Sequence, residues 1–313
     1  MVSFGRLLSG GLLVAASATF AVDYTWQGGP AGDWNISANW SPDTGTPSTA
    51  SDNAIFNDPA TVAIPDTITL RTLVANAPVT VTVASDATLN FSNNGGLIID
   101  AKADTMINGD GEVTFTRNGT SETDFADIRP VAGVTLTIAA RISGLPGSGI
   151  ELNAAGTLVL ANPNNSFTGF TRVSTANGVI LFTHPGALGL RAVRIEQSPP
   201  SKLAYTGTGP ATVTIPVNLT AGSPLLENAG SGALTLNGDI FAASTGTKTL
   251  TLASPTAQPF IINGAISNGL GTVALIYAGP GMLTFNGTLS HTGNTTLRAP
   301  TLLNGTTTAG TFL

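Results

Sequence analysis

Side chains able to do chemistry are sparse in this 313-residue chain, which holds 12 basic residues, 18 acidic residues and two histidines. The densest group is Glu122, Asp124, Asp127 and Arg129, preceded by Asp100, Asp104, Asp110 and Glu112. Carboxylates at alternate positions offer the hard oxygen ligands that Ca²⁺ takes. No Asp-x-Asp-x-Asp-Gly loop and no Gly-Gly-x-Gly-x-Asp repeat accompanies them. Solvated carboxylates are therefore expected there, and no metal site is assigned. The window from Asp100 to Arg141 is also the one place where paired carboxylates beside a base could cleave a polysaccharide. Beyond Glu227 the acids reduce to Asp239 and the bases to Lys248 and Arg298. His184 and His291 have no acid within ten residues, and no Gly-x-Ser-x-Gly elbow occurs. A Ser-His-Asp arrangement is thus not expected. Trp26, Trp34 and Trp40 could stack on sugars, but filling a small terminal core is the simpler use of so much apolar area. No catalytic residue and no cofactor is expected.

The elements that would position these groups follow from composition. Charged residues make up 10% of the chain, well below the ~25% of an ordinary globular protein. Apolar content is 42%, so a core can form, and the chain is not of the highly charged disordered class. A net charge of −6 repels phosphates, which argues against nucleic acid as a partner. Cysteine is absent, which excludes disulfide scaffolds and zinc-thiolate sites.

Met1 to Ala21 carries the order of an export signal. Arg6 precedes an apolar stretch from Leu7 to Ala16, and small residues surround Ala18 and Ala21. Cleavage is expected after Ala21, and the mature chain is expected to have no membrane span.

The rest alternates apolar and polar residues in short runs, as in Val79-Thr80-Val81-Thr82-Val83 and Val134-Thr135-Leu136-Thr137-Ile138. Period 2 over four to six residues between Gly, Asn, Pro and Ser means short strands with Thr facing water. A longer period overlies them. Asn237-Gly238 returns as Asn263-Gly264 and as Asn286-Gly287, at intervals of 26 and 23 residues. Repeats of that size mean stacked coils. The fold class expected is all-β, a parallel β-helix wound right-handed, with a Trp-containing amino-terminal cap over 22–63 and coils over 64–313. Roughly a dozen coils at ~4.8 Å give a rod about 60 Å long.

A longer unit occurs at about 141–189 and again at about 265–306. The first includes Gly156-Thr157-Leu158-Val159-Leu160 and Asn165-Ser166-Phe167-Thr168-Gly169-Phe170-Thr171-Arg172-Val173. The second includes Gly281-Met282-Leu283-Thr284-Phe285 and His291-Thr292-Gly293-Asn294-Thr295-Thr296-Leu297. This pattern resembles the autotransporter-associated β-strand repeat of bacterial passenger domains. Gly186-Ala187-Leu188-Gly189 and the opening Trp26-Gln27-Gly28-Gly29 are similar to that family too. Phe167 and His291 stand where the family prefers Tyr, and Leu289 replaces its Asn. The family's carboxy-terminal barrel is not in this sequence, so a downstream translocator would lie outside it.

The resemblance implies an exported structural or adhesive protein at the cell surface or outside the cell, with host or cell-surface glycans or proteins as partners. A periplasmic location is the alternative. By fold analogy the alternative function is a β-helix carbohydrate-active enzyme or carbohydrate-binding module.

Overall fold

A computed structural model describes residues 21–92, 96–116, 125–144, 149–196, 201–298 and 300–305. The expected signal segment therefore lies almost wholly outside the described residues. So do Glu122 and Asp124.

The chain is an all-β solenoid of three faces. Strands such as Ala60–Ile64, with burial alternating between inward and outward residues, form because β-branched and apolar residues fall on every second position. Successive coils return each strand beside its predecessor, so nearly all pairings are parallel. The first face is a twelve-stranded sheet. It runs from Asp23–Trp26 to Ile266–Gly269, with Trp40–Ser41 added antiparallel at its amino-terminal edge. The second face is also twelve-stranded and runs from Ala31–Asp33 to Thr295–Leu297. Twelve strands at ~4.8 Å make it roughly 50 Å long.

The third face holds four strands and then five, so about nine turns are complete. Its first group ends at Arg141–Gly144 and its second begins at Ala211–Val213. Among the described residues no strand covers this face in the two coils between.

Coil length is not constant. Register partners on the second face fall at Ala31, Thr61, Thr80, Met106 and Thr137, intervals of 30, 19, 26 and 31 residues. Corners absorb the variation while strands keep register. The pairing also reaches further toward the amino terminus than expected. Asp23–Trp26 and Asn53–Phe56 already pair in parallel as coils, so the solenoid begins inside 22–63 rather than at residue 64.

The core is a set of columns running along the rod. One passes through Val62, Val81, Ile107, Ile138, Leu160, Phe182 and Tyr205, all buried. Burying each aliphatic member contributes about 1.5–3 kcal/mol. The column then reaches Asn228, which is fully buried. Its Nδ2 donates to the carbonyls of Gly232 and Pro259 at 3.0 Å each, so the polar group is paired within the core. At the amino end Trp26, Trp34 and Trp40 pack with Phe56, their ring centroids 4.7–6.1 Å apart. The indole N–H groups of Trp34 and Trp40 donate to Pro47 O and Trp34 O. None of the three is an open stacking platform: each is at most 4% exposed.

Candidate functional site

The two longer repeats fold in the same way locally but on different faces. In the first, Thr157–Leu160 lies on the second face and Phe170–Val173 on the first, so the segment between them crosses the third face. In the second, Leu283–Phe285 lies on the third face and Thr295–Leu297 on the second, so the segment between them crosses the first. The unit therefore encodes strand, skipped face, strand. Phe167 and His291 fill the equivalent slot in the skipped face, and both are buried. Leu158, Leu160, Val173, Leu283 and Phe285 are core residues, and Leu297 packs against the core half-buried. Gly156 and Gly281 lie where a Cβ would meet a neighbouring coil's carbonyl, at 2.4 Å from Pro130 O and 2.3 Å from Gln258 O. Gly293 faces Val273 O in the same way, at 2.4 Å. Gly169 sits buried beside Phe170.

Where the third face is skipped, side chains take over the work of a strand. Asn165 Oδ1 accepts from Ile142 N at 2.7 Å, and its Nδ2 donates to Ala187 O at 2.9 Å. It thus bridges the coil below to the coil above. Thr171, fully buried, donates its hydroxyl to Leu188 O.

The chain's charged groups gather on the outer side of the first face. One row passes through Asp127, Glu151, Arg172, Arg194 and Asn218 as register partners in successive coils. Asp100 and Arg129 pair in the neighbouring row. Arg129 Nη2 meets Asp127 Oδ2 at 2.5 Å, and this hydrogen bond, above all, raises the guanidinium's pKa beyond its usual value. Arg172 stands between two carboxylates, 3.4 Å from Glu151 and closely paired with Glu196. The guanidinium of Arg172 also lies 4.6 Å from the Phe125 ring centre. Arg191 and Arg194 lie over Phe170, at 4.1 and 3.5 Å. Phe125, Phe170 and Ala192 form a small apolar cluster of their own beneath these groups. Gly149 makes room between the two rings, since a Cβ there would meet Phe170 O at 2.5 Å.

Of the acids singled out in the sequence, Asp127 joins this ladder. Asp100 pairs with Lys102 at 3.6 Å. Glu112 lies on the third face, 3.6 Å from Arg141. Asp104 is on the second face, where its Oδ1 accepts from Thr135 N. Asp110 follows the strand Thr105–Asn108. The window from Asp100 to Arg141 is thus spread over three faces. Among the described residues no three His, Asp or Glu side chains converge as metal ligands. His184 caps a short 3₁₀ turn, its Nδ1 accepting from Gly186 N. His291 Nε2 bonds the Thr295 hydroxyl at 2.8 Å, and burial lowers its pKa. Glu227 pairs with Lys202 at 2.7 Å, and Lys248 donates to Thr245 O. Asp239 Oδ1 accepts from Ala265 N.

Sequence reading missed Glu151, Arg172, Arg194 and Glu196 because they come from different coils. The signal present was the recurrence of Arg or Glu at one position of successive strands.

No protein-family model matches the chain, and no curated protein or solved structure matches it either.

Proposed function

We propose that this chain is the rod of an exported bacterial surface protein, similar to an autotransporter passenger, with a structural or adhesive role. The observation that supports this reading most is the first face. Its outer groups are tied from coil to coil by shared ion pairs and by aromatic rings under arginines. Such an arrangement presents a long, stiff, polar surface instead of a cleft. Contacts with glycans or proteins would spread along it.

Protease treatment of intact source cells, followed by blotting for this chain, tests the proposal. Loss of the signal before the outer membrane is opened is expected. Survival until the membrane is opened would place the rod in the periplasm and overturn the surface reading.

The alternative is a carbohydrate-active β-helix, and one observation favours it. Asp127 and Glu151 are register partners on adjacent coils, the separation range in which carboxylate pairs act on glycosidic bonds. Each, however, is engaged by an arginine. Polysaccharide cleavage by the purified chain that disappears in Asp127→Ala and in Glu151→Ala would support this alternative over the rod.

A further inference from the structure

The charges of this chain are unevenly divided. Residues 22–110 hold ten acids and two bases, Arg71 and Lys102, a net charge of −8. Residues 111–313 hold eight acids and nine bases, a net charge of +1. The acidic part includes the first four strands of the second face.

A trough of about 520 Å³ crosses the outer side of that part. It runs along the rod, over the strands from Ala31–Asp33 to Thr135–Ile138. Its lining includes Pro30, Pro59 and Pro78, each the residue just before a strand, with Thr80, Met106 and Asp104. Proline at these corners gives up no ladder hydrogen bond, because it has no N–H to offer. Met106 is 40% exposed and lies between Thr80 and Thr137 in register. A second hollow of about 420 Å³ shares Pro30 and Pro59 and adds Trp26 and Asp58. The lining of both contains carboxylates, hydroxyls and apolar surface, and neither contains Lys or Arg. Among the described strands of this face, the first basic side chain is Lys202.

We propose that this trough binds an extended basic peptide segment in which lysine or arginine alternates with proline or another apolar residue. Charge complementarity selects the cation: a positive ligand meets Asp104 and Asp58 in a part of the chain with net charge −8. The proline and methionine floor selects apolar surface between the charges. Length fits as well. Five coils span about 19 Å, the reach of about six extended residues. The carboxylates are spread along the trough and do not converge, which suits a chain of separated charges better than a single metal ion. This inference does not depend on where the rod resides, so it stands or falls separately from the surface reading.

The test measures fluorescence anisotropy of a labelled octapeptide of alternating lysine and proline with the purified full chain. The controls are a glutamate–proline octapeptide and cellohexaose. The lysine peptide is expected to bind saturably, with affinity falling steeply as salt rises. Thr80→Lys and Met106→Lys each place a like charge on an outward position and are expected to weaken binding about tenfold. Asp104→Asn keeps the Oδ1 that accepts from Thr135 N, so the fold is retained while the charge is lost. It is expected to weaken binding about threefold. Asp239→Asn, on a different part of the rod, should leave binding unchanged. Equal binding of the glutamate peptide, displacement by cellohexaose, an Asp104→Asn variant with undiminished affinity, or no binding of the lysine peptide would each overturn the proposal.

Discussion

Replacing Asn165 with alanine removes a side chain that stands in for a strand. Asn165 is 4% exposed, and its amide spans Ile142 N on one side and Ala187 O on the other, at 2.7 and 2.9 Å. Ile142 and Ala187 are both fully buried, so water does not replace the lost partners without opening the corner. Each buried group left unpaired costs about 1–3 kcal/mol, which gives a loss of roughly 2–6 kcal/mol for the pair. With a urea dependence near 3 kcal/mol per molar, the unfolding midpoint falls by about 0.7–2 M. Stacked coils interact mainly with their neighbours, so a local readout is also needed. Hydrogen exchange at the Ile142 amide provides it, and exchange is expected to accelerate in step with the lost stability. Asn165→Asp keeps the acceptor and loses the donor, and should fall between wild type and Asn165→Ala. Asn164→Ala, at the exposed neighbour, controls for the change of loop composition. An unchanged midpoint together with an Ile142 amide that remains protected would refute the reasoning.

Gly264→Ala should destabilise strongly, because its Cβ would lie 2.3 Å from Gly238 O and only backbone movement relieves that contact. Asn263→Ala, which cuts two exposed amide links at the same corner, should cost about 1 kcal/mol or less by comparison; urea midpoints of the two variants check the order. Burial lowers the His291 pKa below 6.5, its unfolded value, so the unfolded chain takes up the proton first as pH falls. Stability from this residue is therefore present above pH 6.5 and lost below it. The gap in melting temperature between pH 7.5 and 5.5 should narrow in His291→Phe, and an unaltered gap would count against the assignment. Arg172→Ala leaves Glu151 and Glu196 without their shared partner in a half-buried row and should cost about 1.5–3 kcal/mol. Arg141→Ala, at an exposed pair 3.6 Å apart, should cost less than about 1 kcal/mol, and denaturation of both variants separates the cases.

Period-2 alternation made the strands legible, because a sheet with one face in the core imposes it directly. The Asn-Gly interval also read correctly as a stack. Asn263 Nδ2 donates to Asn237 Oδ1, and Asn286 Nδ2 to Asn263 Oδ1, each at 2.8 Å. The next member, Asn304, continues the column at 3.0 Å but comes after only 18 residues, too short an interval to be recognised as the same repeat. The amino-terminal boundary misled for a related reason. Coils there alternate between long and short, so no period emerges even though the strands are in register. The charged ladder was least legible. Arg172 lies 21 residues after Glu151 and 24 before Glu196, and only the winding brings the three together. The same holds for the trough, whose prolines are unremarkable in sequence and become a column only when coils are superposed.

The interrupted third face has a mechanical consequence. Over most of its length the rod behaves as a beam with three flanges, each a continuous sheet. Across the two coils where Asn165 and the turn Pro185–Leu188 replace strands, one flange is missing. A beam relieved in this way yields in a single plane, toward or away from the missing side, and stays stiff in the others. Force applied along the rod would concentrate strain there, leaving two rigid arms joined by an elastic joint with one preferred direction of bend.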